Sequence, residues 1–405
     1  MPQSQPKVII VGGNFAGLNA AKYLSARHFS VTVIDKQADF EWLPHIHELI
    51  SRHKKAEQLR HNRQQLVKRM GHSFIQNSVI AIDKTLQTIQ LATGEILPYD
   101  HLVLAIGNSN ILSKVEGASQ YAFSFDSIND AETAALQLQR LDSLSLASRP
   151  VVLVGASIEG LEVLGEIIRR YQRQWRFKLA VVDAAPVLMA NYQGLDAYLK
   201  QKCAHLEIEW HLGQSVQRVT KDSVELSNGH ILPSRVTLWC AGAMPSALLV
   251  AAGLTAAHDT LQSIVDPHIW LAGDCAELPT AIAKQAYHAL PMGKLVAQNI
   301  KRFQQNRRLC AFNALPIPSL MSFGEMGFLL AKSHALASPS FIAAKEGVFQ
   351  ANFNLIKLPS HSQEWLGLKS SLQQSGLNMA KLAKNTWQNG SLLEAHHFPA
   401  QSNLT

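Results

Sequence analysis

The chain has 405 residues, 47% hydrophobic and 17% charged, with four cysteines and a formal net charge of +7. At roughly 100–200 residues per domain it accommodates two to four domains with ample core; its apolar fraction excludes a disordered chain, and its few cysteines exclude a disulfide scaffold. Cys203, Cys240, Cys275 and Cys310 are widely spaced, with no C-x-x-C. A dithiol centre between near neighbours and a cysteine-type zinc finger are therefore absent, and free thiols suit a cytoplasmic protein.

The first element, Lys7–Val11, predicts a strand so near the start that a cleaved signal peptide is not expected. Gly12-Gly13-Asn14-Phe15-Ala16-Gly17 then predicts a turn into a helix, and the run Val31–Asp35 a strand ending in an acid. Thr93–Pro98 predicts a hairpin before a buried strand that ends Ala105-Ile106-Gly107. The same pattern recurs. Val151–Val154 leads into Gly155-Ala156-Ser157-Ile158-Glu159-Gly160, Leu179–Asp183 again ends in an acid, and Asn228–Pro233 precedes the strand Val236–Gly242.

A last strand, Ile269–Ala272, ends in Gly273-Asp274, with a helix to about Phe303. Leu320–Ala331 predicts a strand pair broken at Gly324 and Gly327, and Phe341–Leu358 a strand followed by a helix. In the polar tail Trp365, Leu368 and Leu372 share one helical face, with Leu377 and Leu382 beyond Gly376. The longest uncharged stretch, Val236–His258, is interrupted by Gly242, Pro245 and Gly253 and reads as strand, turn and helix rather than a membrane span. The expected fold is α/β, with two Rossmann-like dinucleotide-binding domains and a small C-terminal α+β domain.

A glycine turn between a buried strand and a helix brings backbone N–H groups and the positive helix end against a pyrophosphate, and an acid ending the next strand accepts ribose hydroxyls. Asp35 and Asp183 occupy those places. The middle glycine is replaced by Asn14 and by Ser157; asparagine tolerates unusual backbone angles and serine is small.

With these motifs the chain resembles the FAD- and NAD(P)-dependent pyridine nucleotide oxidoreductases of glutathione-reductase-like fold, over about residues 7–303. The resemblance implies an FAD-binding domain from residues 1–113 and 235–303, an inserted NAD(P)H-binding domain from 114–234, and a C-terminal interface or acceptor domain from 304–405. It implies FAD contacts from Gly12, Gly13, Asn14, Phe15, Ala16, Gly17, Asp35, Pro44, Ala105, Gly107, Gly273 and Asp274. Nicotinamide dinucleotide contacts follow from Gly155, Ser157, Ile158, Glu159, Gly160 and Asp183, with Lys36, Val79 and Gly242 completing the cofactor set. Asp183, followed by Ala184 and Ala185 with no arginine, favours NADH over NADPH.

Within that family, Glu41–Leu49, Gly160–Glu166 and Trp239–Pro245 resemble segments of type II NADH:quinone oxidoreductases. This implies a quinone-type acceptor, peripheral contact with the inner face of the cell membrane, and a homodimer. Gly155-Ala156-Ser157 leans toward ferredoxin-reductase-like and apoptosis-inducing-factor-like members, so a protein acceptor such as ferredoxin or rubredoxin stays open, as does a degenerate redox-sensing protein. Residues 36–60 lack the cysteine pair of the disulfide reductases, and Cys275, without a partner, does not support sulfur chemistry. Glu162 resembles an acid that relatives keep near flavin and acceptor. It reads either as a proton donor to reduced quinone or as one half of a local ion pair. Lys284 and Gln285 are candidates to stabilise negative charge on reduced flavin.

The basic stretches at residues 52–69 and 169–178 read as solvated helix faces, with membrane contact as the alternative. No nucleic-acid module accompanies them. His45, His47 and Glu48 lack a third metal ligand at suitable spacing, so no metal site is expected.

Overall fold

The computed structural model describes residues 5–146, 148–315, 318–331, 334–358 and 396–399. A first sheet of five parallel strands has the order Ile269–Leu271, His101–Leu104, Lys7–Val11, Ser30–Asp35, Ser73–Gln76. A second repeats the arrangement with Ala122–Ser124, Val236–Trp239, Arg149–Val154, Phe177–Asp183 and Glu209–Leu212. In each, the strand before the glycine turn is central, and a small antiparallel meander precedes the strand beside it. Parallel strands covered on both faces need apolar residues throughout, not alternation. Ile10, Val33 and Leu102–Leu104 are completely buried, as are Val152, Leu153 and Val181.

Between the two sheets the chain passes out by Ser109–Asn110 and back by Ala243–Met244, which pair antiparallel. The strand Val236–Trp239 lies inside the second sheet, so the return falls at residues 240–244 and not at the boundary of 235 read from the sequence. A buried strand shows its burial in sequence but not which sheet buries it.

The third unit is an antiparallel sheet in the order Ser319–Phe323, Met326–Leu330, His334–Ser338, His396–Pro399. Its turn falls at Gly324 alone. Gly327 lies within a strand, where a Cβ would stand 2.6 Å from the backbone nitrogen of Ile342, so the glycine marks the close approach of a helix. That helix, Ser340–Ile356, is continuous, and the strand expected to open the Phe341–Leu358 segment does not form. Ala343-Ala344-Lys345-Glu346 are strong helix formers that outweigh the aromatic residues around them. Trp365, Leu368, Leu372, Leu377 and Leu382 lie outside the described residues.

The helix Ser340–Ile356 is held on the first unit by aromatic rings. Phe349 stands 5.5 Å from Trp42, 4.8 Å from His45 and 5.0 Å from Phe353, centroid to centroid. Phe353 stacks on His61 at 3.9 Å. Burial and edge-to-face contact act together here. Phe349→Ala, at a site 2% exposed, is expected to lower unfolding stability by about 3–5 kcal/mol, measured by denaturant titration.

Candidate active site

The two glycine turns are built alike. Gly12 and Gly155 have φ of +95° and +94°, and a Cβ on either would lie 2.3 Å from the Ala105 carbonyl oxygen or 2.7 Å from that of Cys240. A Cβ on Gly17 or Gly160 would fall 1.8 Å from the carbonyl oxygen of the turn's first glycine, so each helix rests directly on its turn. Asn14 and Ser157 have negative φ, −100° and −68°, so the middle position needs no glycine and asparagine's tolerance of unusual angles is not used. The Asn14 amide instead brackets the backbone of Glu41, donating to its carbonyl at 3.1 Å and accepting from its N–H at 3.2 Å.

Neither Asn14 nor Ser157 caps its helix, whereas Asn62 and Ser127 cap theirs. The first-turn N–H groups of both glycine helices are thus left for an anionic ligand, the donor set a pyrophosphate fits. Asp35 accepts from the N–H of Gly13 at 2.7 Å and of Gln37 at 2.8 Å. Asp183 accepts from Ala156 at 2.5 Å and Ala185 at 2.7 Å. Arg63, invisible as a site residue in the sequence, donates from Nε to the Gly13 carbonyl at 2.7 Å and pairs with Asp35 at 3.1 Å. Gly107, between the turns, has open space where a Cβ would be.

A cavity of about 50 Å3 is bounded by Trp42, Pro44, Tyr287, Leu290 and Leu320, with His45, Lys345 and Asn352 in its polar lining. Lys345 donates to Glu162 Oε1, to Ser322 Oγ at 3.1 Å and to His47 Nε2 at 3.2 Å. The Ser322 N–H also donates to Glu162, at 3.0 Å, and His47 Nδ1 stands 3.4 Å from Glu162 Oε2. Burial raises the Glu162 carboxyl, opposed by Lys345 and the Ser322 bond. Burial, then Lys345, pushes His47 well down and keeps it neutral near pH 7; His45 is lowered by the same two causes and accepts from Trp42 Nε1 at 2.9 Å. Lys345 and Ser322 carry no sequence motif, and only folding brings them to Glu162.

Lys284 donates to the carbonyls of Asp274 and Ala276 at 2.7 and 2.9 Å, stapling the Gly273-Asp274 segment. Gln285 starts the helix Ala286–Gln304 and donates to Ser319 at 2.6 Å. Neither has a hydrogen bond to the Glu162 cluster. Burial, before the opposing charges of Lys284 and His288, raises Asp274. Glu159 and Ile158 form the first turn of the second glycine helix, Gly242 sits at the chain's return, Val79 opens the first meander, and Lys36 is exposed. Cys275 is 2% exposed, donates to Leu104 and Ala272 carbonyls, and is pushed up to about 11 by burial.

The basic stretches are not simply solvated faces. Lys54 and Arg63 are buried, and Lys54 pairs with Glu346 at 2.6 Å. Arg169 pairs with Glu166 and Glu325, each at 2.9 Å, and donates to the Gly324 carbonyl; Arg170 donates to that of Ile50. Charge periodicity cannot distinguish water from a partner on another unit.

The family model for pyridine nucleotide-disulphide oxidoreductases matches residues 6–293. The chain belongs to this family. It is an NAD(P)H dehydrogenase of that family, similar to an NADH dehydrogenase-like protein of Mycobacterium tuberculosis, 27% identical over 346 residues covering 79% of this chain and 86% of the relative. It is also similar to a type II NADH:quinone oxidoreductase of Staphylococcus haemolyticus, 24% identical over 80% of this chain and 89% of that one. The fold matches that of NDH2 from Plasmodium falciparum in complex with NADH, with a TM-score of 0.78, 15% identity, and coverage of 91% and 98%. In this pyridine nucleotide-disulphide oxidoreductase all four thiols are free.

Glu166, fully buried, accepts from Ser51 and pairs with Arg169; burial dominates and lifts its carboxyl from 4.5 to about 7. The folded state holds this proton more tightly than the unfolded chain does. The protonated form therefore favours folding at acid pH, and that contribution is lost as pH rises from 4.5 to about 7. Glu166→Gln is expected to remove this slope: the difference in unfolding free energy between wild type and variant, measured from pH 4.5 to 8, should change most below pH 7.

Proposed function

We propose that the chain takes hydride from NADH through FAD and passes the electrons to a quinone-type acceptor. The observation that carries this reading is the apolar cavity beside Pro44, walled by Trp42, Leu290 and Leu320 and carrying one buried cation, Lys345. A flat apolar acceptor that gains negative charge on reduction suits such a wall. Relatives named as quinone oxidoreductases support it.

Bound FAD would supply hydride acceptance and two-electron transfer. The first turn, with Asp35, would hold its adenosine and pyrophosphate, and the second, with Asp183, the same part of NADH. The Asp183 carboxylate already takes two backbone N–H bonds and repels a 2′-phosphate, which supports NADH over NADPH. All three Lys345 protons have acceptors in Glu162, Ser322 and His47, so the ammonium is fixed in place as a positive charge at the cavity. Among the described residues no helix is long and apolar enough to cross a membrane; a membrane quinone would be met by peripheral contact.

Anaerobic NADH is expected to bleach the visible band of the purified protein, and a short-chain quinone to restore it. Lys345→Met should leave bleaching close to wild type and slow restoration by about 10²-fold. Restoration by a ferredoxin or rubredoxin, and none by quinones, would replace this reading with that of a protein reductase.

A further inference from the structure

The two glycine turns differ in one charge. Each has an acid accepting two backbone N–H groups, but among the described residues only Asp35 meets a guanidinium, that of Arg63 at 3.1 Å. Arg63 is 2% exposed and opens the helix Arg63–Arg69. It donates to the Gly13 and Gln37 carbonyls, and its guanidinium carbon lies 6.0 Å from the Phe74 ring centre. Burial lowers its pKa, opposed by Asp35, Glu41 and Asp39. Among the described ion pairs Asp183 has no counterpart.

The sequence difference between the turns follows from this side chain. A Cβ on Gly13 would lie 2.5 Å from Arg63 Cδ and 2.7 Å from its Nε. The equivalent position of the second turn is Ala156, which carries that methyl. The second glycine of the first motif thus makes room for an arginine as well as for a ligand.

We propose that Arg63 makes the first turn a retention site, so that its dinucleotide is kept as a resident cofactor while the second turn exchanges its own. The proposal rests on the reading of the first turn as an FAD site. A bare carboxylate next to a bound pyrophosphate repels it, and in a partly buried site that repulsion is only weakly screened. Arg63 neutralises Asp35 without blocking it, because a carboxylate accepts further bonds beyond those from Gly13, Gln37 and Arg63. The guanidinium also ties together the two backbone carbonyls that flank the ribose acid in the fold, so the turn is formed before the ligand arrives. At the second turn no guanidinium among the described residues pairs with Asp183, which suits a co-substrate that must leave after each turnover.

The test is the rate at which flavin leaves the protein, read from the fluorescence of released FAD after dilution, in wild type, Arg63→Met, Arg63→Lys and the double variant Asp35→Asn/Arg63→Met. R63M is expected to release FAD about tenfold faster or more, and R63K, which keeps the charge, to stay within about threefold of wild type. The double variant should release more slowly than R63M, since the unmatched charge is gone. NADH affinity, from titration of protein still carrying flavin, should not change. R63M that retains FAD like wild type, R63K as leaky as R63M, or a double variant no better than R63M would each overturn the proposal. If R63M does not fold, Arg63→Gln takes its place under the same criteria. Wild type that binds no flavin overturns the FAD reading and this proposal with it; flavin-bound wild type with an equally retentive R63M overturns this proposal alone.

Discussion

A buried ammonium–carboxylate pair, Lys345 with Glu162, is the contact on which the candidate active site depends. Its partners come from three places: His47 from the first unit, Glu162 from the second glycine helix, and Ser322 with Lys345 from the C-terminal unit. Two charges withdrawn from water are tolerated only when their remaining donors and acceptors are also matched. Here each ammonium proton has an acceptor, and the carboxylate has a backbone N–H besides. These contacts tie the three units together where Lys345 lines the cavity.

The two sheets show how one local plan serves two roles. Strand, glycine turn, helix and acid recur with four strands in the same order, because the close fit of helix on turn leaves few alternatives; the outer strand is the last of the first sheet in the chain and the first of the second. What separates the sites is a side chain that the repeat does not share. Arg63 opens the helix that leads to the edge strand of the first sheet, whereas the corresponding helix of the second, Leu195–Cys203, opens with leucine, and the Gly13–Ala156 difference records it.

The fold changes the reading of the basic stretches, not of the net charge of +7, which pairing a cation with an acid leaves unaltered. Lys54, Arg63, Arg169 and Lys345 are spent inside the molecule on Glu346, Asp35, Glu166 and Glu162. Two of these pairs, Lys54 with Glu346 and Lys345 with Glu162, join units far apart in sequence. A basic run read along the chain therefore cannot tell a surface that attracts an anionic partner from the inner side of a domain contact.

The sequence by itself determined the two βαβ units, both glycine turns, their acids and the Gly273-Asp274 segment, because each rests on steric and hydrogen-bonding demands within a few tens of residues. Backbone that must take φ near +95°, or lie within van der Waals contact of a helix, leaves a glycine that can be read directly. Tertiary structure alone decided the sheet of Val236–Trp239 and the roles of Arg63, Ser322 and Lys345. These depend on which side chains meet across 50 to 180 residues of intervening chain. No local periodicity records such a meeting; the energy that selects it is that of matching buried charges, and it exists only once the units have packed.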